Sequence, residues 1–150
     1  MVVGSASIVI DRPASVVFEA LTDVTRMGEW SPECVAGRWI APATGPAVGA
    51  RFEGDNVAAL GPLTLKRWTT TSEVTELVPD RVFEFSAEGY TTWRYELADV
   101  DGGTRVTESY EHPAYEGWQK VVYGGLVRRS AGLVRGMERT LSRLKASLER

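Results

Sequence analysis

From residue 33 to residue 112 the chain repeats one pattern, short runs in which apolar and polar residues alternate, each closed by a turn signal. The runs predict strands at 33–40, 50–57, 65–77, 82–87, 91–99 and 104–111, and a β-branched run at 5–10 adds a seventh. The breaks are Pro42-Ala43-Thr44-Gly45-Pro46, Gly61-Pro62, Pro79-Asp80 and Asp101-Gly102-Gly103, the last a strong hairpin signal. An antiparallel meander of this length has an apolar face that must leave water, and only one large amphipathic element is available to cover it. That element is the C-terminal segment, where Leu126, Ser130, Leu133, Met137, Leu141, Leu144 and Leu148 recur every three or four residues. The sheet is therefore expected to curve around this helix in an α+β domain.

Helix signals also stand between the first two strands. Residues 13–21 read as a helix opened by Pro13, whose missing N–H is not needed in a first turn, with Val17, Phe18 and Leu21 on one face. Asp23 can cap a second short helix ending near Trp30, because Pro32 disfavours helical geometry at Ser31. In the last helix Gly124, Gly125, Gly132 and Gly136 each weaken the element by up to about 1 kcal/mol relative to alanine, which predicts a kink or break near Gly124. Gly132 and Gly136 form a small-xxx-small pair expected to let helix and sheet pack closely. Arg128, Arg129, Arg135, Arg139, Arg143 and Lys145 lie mostly elsewhere on the circumference and read as a solvated face.

With 150 residues the chain has enough length for one core and too little for two, so residues 1–150 are read as one domain. Hydrophobic residues at 43% and charged residues at 25% fit an ordinary globular protein, and a net charge of −3 gives no reason to expect nucleic acid. The single cysteine, Cys34, and single histidine, His112, exclude an internal disulfide and a Cys/His metal cage; no metal or cofactor is expected. Neither a leader-like start nor a window of roughly 18 apolar residues is present. A cytoplasmic monomer or homodimer without integral membrane contact is the expectation.

Strand parity identifies the covered face. If Phe83 and Phe85 point inward, so do Phe52, Trp68, Val74, Trp93, Tyr95 and Leu97, giving an aromatic lining. The same parity carries Asn56, Thr70, Ser72, Glu108 and His112 inward, beside Val106 and Tyr110. Burying a carboxylate or an amide without a partner costs several kcal/mol, so these groups have to be hydrogen-bonded, hydrated or facing a cavity. A mostly apolar, aromatic space with a few convergent polar groups is the composition of a small-molecule site.

Several segments together carry a family resemblance. They are Ile8-Val9-Ile10-Asp11-Arg12-Pro13 followed by Val16-Val17-Phe18, Leu21-Thr22-Asp23, Glu29-Trp30-Ser31-Pro32-Glu33, Gly49-Ala50-Arg51-Phe52, Trp93-Arg94-Tyr95-Glu96-Leu97 and the hairpin 102–108, ending with 136–145. In order and spacing the chain resembles the polyketide cyclase/dehydrase-like proteins of the START-related helix-grip superfamily over nearly its whole length. The resemblance implies seven curved antiparallel strands, two short helices between strands one and two, and a cavity under the last helix. It fixes no activity, since that superfamily spans lipid carriers, hormone receptors, cyclases and cochaperone domains.

Three functions follow as expectations. The first is binding or transport of a small hydrophobic ligand, a lipid, polyketide or aromatic metabolite, with Trp30, Phe52, Asn56, Trp68, Phe83, Phe85, Trp93, Tyr95, Tyr110, Trp118 and Met137 as lining. The second is a cyclase or dehydratase in which Glu108, Glu33 and His112 move protons. The third is a cochaperone-like interaction module, which needs an exposed apolar patch. Each candidate also has a structural reading. Glu108 can pair with an arginine such as Arg94 or Arg51 or sit at a solvated sheet edge, Glu33 can be a solubilising strand start, His112 before Pro113 can be a solvated loop histidine, and Cys34 can be packing.

Overall fold

The computed structural model describes residues 2–60, 62–113 and 129–150. The elements run β1 (Val2–Ile10), α1 (Ala14–Thr22), a 3-10 helix (Val24–Glu29), β2 (Cys34–Trp39), β3 (Arg51–Leu60), β4 (Leu63–Val78), β5 (Val82–Ala87), β6 (Thr91–Val100), β7 (Gly103–His112) and α2, described over Arg129–Leu148. Trp118, Gly124, Gly125, Leu126 and Arg128, which carried sequence expectations, lie outside the described residues.

The strands form one seven-stranded sheet in the order β1-β7-β6-β5-β4-β3-β2. From β2 to β7 each strand pairs antiparallel with the next in the chain, and β1 alone pairs across the chain with β7. The turn Asp101-Gly102 closes the β6–β7 hairpin with Gly102 at φ +82°, the left-handed conformation that glycine adopts without steric cost. Pro13 stands one position before α1 rather than in its first turn, and its carbonyl accepts from the amides of Val16 and Val17. Asp23 caps the 3-10 helix as expected, its carboxylate accepting from the Thr25 amide at 3.1 Å.

The 3-10 helix lies directly on β2 because both surfaces present glycine. A Cβ at Gly28 would stand 2.3 Å from the Val35 carbonyl oxygen, and one at Gly37 would stand 2.3 Å from that of Val24. The main core joins Val17, Phe18 and Leu21 of α1 to Phe52, Val74, Phe83, Phe85, Leu97 and Val106 of the sheet and to Leu141 and Leu144 of α2. Helix α2 packs chiefly along β1. Two polar ties fix its end there: the Glu149 carboxylate accepts from the Asp11 amide at 2.9 Å, and the Lys145 ammonium donates to the Val9 carbonyl at 2.8 Å.

One expectation about α2 is corrected. Among the described residues a Cβ added at Gly132 or Gly136 meets nothing within 4 Å, so this pair does not serve close packing of the helix on the sheet. Their spacing alone could not say which way the two positions turn.

Candidate functional site

The inward parity set is observed as a continuous aromatic surface. The Phe52 ring meets Trp39 at 5.6 Å and Phe85 at 5.1 Å between centroids, Phe85 meets Phe83 at 5.4 Å, and Phe83 stacks on Tyr95 at 6.4 Å. Trp93 and Tyr110 continue it on the neighbouring strands at 5.7 Å. Phe52, Phe83, Phe85, Tyr95, Tyr110, Trp30 and Met137 are buried, while Trp68 and Trp93 are half-buried. Trp39 belongs to this surface although the sequence reading omitted it; its position five residues after buried Cys34 crosses a bulge in β2, which breaks simple alternation.

At the centre stands a buried acid. Glu108 on β7 is 3% exposed and lies directly opposite Tyr95 on β6. The Tyr95 hydroxyl donates to Glu108 Oε2 at 2.8 Å. Among the described residues neither expected arginine bonds to it: Arg51 is exposed, and Arg94 points to the opposite face, where its guanidinium donates to Glu76, Glu84 and Glu96 at 2.7 Å each. Burial pushes the Glu108 carboxyl up to about 8, against the lowering effect of the Tyr95 hydrogen bond. The Tyr95 hydroxyl is in turn held well above its usual range, first by burial and then by Glu108. At neutral pH the pair is therefore uncharged. Among the described residues, two buried oxygens of this face have no hydrogen-bond partner, Glu108 Oε1 and Tyr110 Oη.

His112 corrects a second expectation. It is not a solvated loop residue but the last residue of β7, 2% exposed. Its ring is stacked between Tyr90 at 5.6 Å and Tyr110 at 5.8 Å. Its Nδ1–H donates to the Pro113 carbonyl at 2.8 Å, which fixes the proton on that nitrogen in the neutral ring. Tyr90, a residue the pattern did not single out, also donates its hydroxyl to that carbonyl, at 3.3 Å.

Of the remaining candidates, Glu33 is exposed just ahead of β2, so it does not join Glu108 in the buried set. Cys34 beside it is buried; its thiol donates to the Ala36 carbonyl at 3.3 Å, and burial pushes its pKa up, as for a packing cysteine. Asn56 has structural partners, its amide donating to the Gly54 carbonyl at 3.1 Å and to Thr70 Oγ1 at 3.2 Å. Among the described residues no three His, Cys, Asp or Glu side chains converge as a metal site would require.

Seven antiparallel strands curved over a long C-terminal helix, with two short helices between β1 and β2, define a helix-grip protein with an aromatic inner face. Residues 1–149 match the model of one family, described as polyketide cyclase/dehydrase and lipid transport, and the chain belongs to that family. Among solved structures it is similar to a Polyketide_cyc-like protein from Corynebacterium glutamicum, with 32% identity over 98% of this chain and 91% of that one and a TM-score of 0.68. Two more distant likenesses show the fold alone. A protein from Nitrosomonas europaea has 16% identity over 98% and 94% of the two chains at a TM-score of 0.74. An AHSA1-like protein from Aeromonas hydrophila has 17% identity over 97% and 94% at 0.67. No curated protein matches the chain. Among the described residues no helix is long and apolar enough to cross a membrane.

Proposed function

We propose that this protein binds a small hydrophobic molecule against the inner face of the sheet, its apolar body on the Phe83, Phe85 and Trp93 rings and its polar end at Glu108 and Tyr110. The observation that carries this reading is the pair of buried oxygens, Glu108 Oε1 and Tyr110 Oη, without partners among the described residues. Native interiors leave few such atoms, and each costs about 1–3 kcal/mol while unsatisfied. They lie two residues apart on one face of β7, about 7 Å along the strand, so one oxygenated ligand end can reach both. Because the neutral carboxyl donates, a ketone or hydroxyl oxygen is the matching group. The family description, which joins cyclase/dehydrase and lipid transport, supports a hydrophobic ligand of this kind.

Titration of the tryptophan fluorescence with 1-naphthol and with a long-chain methyl ketone tests it. Saturable binding is expected, weakened about tenfold in Tyr110→Phe by loss of one buried hydrogen bond. No saturable change with either probe overturns the reading.

The same carboxyl favours a second reading, a cyclase- or dehydratase-type enzyme. An acid titrating near 8 beside a tyrosine is suited to give a proton to a bound carbonyl and recover it near neutral pH. In this reading Glu108 carries the acid–base role, as the carboxyl of the buried set, while Glu33 is exposed. Turnover of a β-keto thioester, lost in Glu108→Gln while 1-naphthol still binds, is the expected outcome; unchanged turnover excludes this role.

A further inference from the structure

Strands β3 and β4 outrun their neighbours. On one side β2 pairs with β3 only as far as Asn56, and on the other β5 meets β4 no earlier than Ser72. Beyond Asn56, among the described residues, 57–60 pair with 63–67 of β4 alone, apart from the Val57 amide, which donates to the Glu33 carbonyl at 2.9 Å. The result is a two-stranded ribbon that projects from the sheet by about 13 Å. A lone ribbon is marginal in water, and this one is unusually apolar for its exposure: Leu63 is 60% and Leu65 62% exposed. Residues 63–67 are exposed without exception, and the next residue, half-buried Trp68, carries the Lys66 ammonium 5.2 Å above its ring.

The charge is one-sided as well. No acidic residue occurs from 56 to 72, whereas Lys66 and Arg67 do, in a chain of net charge −3. Among the described residues neither of these cations has an ion-pair partner. Exposed leucines at a tip, with a tryptophan and two cations at its base, suit the boundary of an anionic bilayer, where acyl chains receive the leucines and phosphates meet the cations. The ribbon's unpaired outer backbone groups need water, which confines it to the headgroup level and excludes a spanning role.

We infer that the tip of the β3–β4 ribbon docks this protein on an anionic lipid bilayer, with Leu63 and Leu65 inserted and Lys66 and Arg67 against the lipid phosphates. The inference rests on the ribbon and stands apart from the reading of the inner face. Cosedimentation of the whole chain with vesicles of phosphatidylcholine alone, and of equal parts phosphatidylcholine and phosphatidylglycerol, tests it. Binding is expected only to the anionic vesicles, and it should weaken as salt is raised. Leu63→Asp combined with Leu65→Asp should reduce partitioning more than about tenfold, and Lys66→Glu combined with Arg67→Glu by a similar factor. Both variants should melt with the wild type, since the altered side chains are exposed. Failure of the wild type to bind anionic vesicles, or equal binding by both double variants, overturns the inference. So does a concentration-dependent dimer that the leucine variant abolishes without any vesicle binding, which would make a second copy the occupant.

Discussion

Arg94 and Tyr95 are neighbours on β6, and one residue step places them in opposite electrostatic worlds. The outer face gathers three carboxylates, Glu76, Glu84 and Glu96, around the Arg94 guanidinium, which these hydrogen bonds hold above its usual pKa. The inner face sets one carboxyl, Glu108, against one phenol, with no cation beside it among the described residues. Water supports charge outside, so three acids share one base there. Inside, where charge is not solvated, the same functional group keeps its proton. Location relative to the sheet, and not residue type, decides whether a glutamate of this protein is an anion or a hydrogen-bond donor.

The largest test of that contrast is the pH dependence of stability. The Glu108 carboxyl is raised in the folded chain, so between about pH 4.5 and 8 the native state binds a proton that the unfolded state has released. Its contribution to stability is therefore full at acid pH, falls as pH rises through this window and levels off above it. The upper limit is on the order of 5 kcal/mol. Glu108→Gln should remove that decline, so the melting temperatures of variant and wild type should diverge between about pH 5 and 9; parallel curves would show that the buried carboxyl is ionised. Tyr95→Phe sharpens the same experiment. It removes the hydrogen bond that lowers the carboxyl pKa and should move the decline to higher pH.

Next in size is the apolar inner face itself. Phe83→Ala opens a void among Phe85, Tyr95 and the core and should cost about 4 kcal/mol in denaturant unfolding, with little dependence on salt. The smallest effect belongs to the outer face. Arg94→Met breaks every contact of its cluster, yet the partners stay hydrated, so the expected loss is about 1 kcal/mol and shrinks further in molar salt. A loss as large as that of Phe83→Ala would mean that the outer cluster contributes as strongly as the core.

The fold was legible because alternation and turn chemistry agree along the whole meander. The predicted strand 82–87 is reproduced residue for residue, and the others differ by one to three residues at an end, β2 being one residue shorter at each end and β3 starting one residue late at Arg51. The Tyr95–Glu108 pair was legible too, since counting outward from Asp101-Gly102 brings the two opposite each other. An arginine partner for Glu108 does not follow from the same count, because Arg94 must face away when Tyr95 faces in. Parity turned His112 inward, but its cover was not legible: it includes Tyr90, in a turn built on Glu88 at φ +56° and Gly89 at φ +64°, and no periodicity fixes where such a turn aims a side chain. Glu33 stands before a strand, where alternation has not yet begun to dictate direction.

The pairing of β1 with β7 also governs assembly. Every pairing from β2 to β7 is a hairpin between consecutive strands, and all but the β2–β3 connection, residues 40–50, are closed by short loops at small entropic cost. By contrast, the β1 register joins Ile10 to Thr104 and Val2 to His112, and α2 rests largely on β1. The hairpin stack can therefore form early, while β1 and its covering helix are added in a late, long-range step. Substitutions along β1 or on the face of α2 that meets it should accelerate unfolding and leave the refolding rate nearly unchanged.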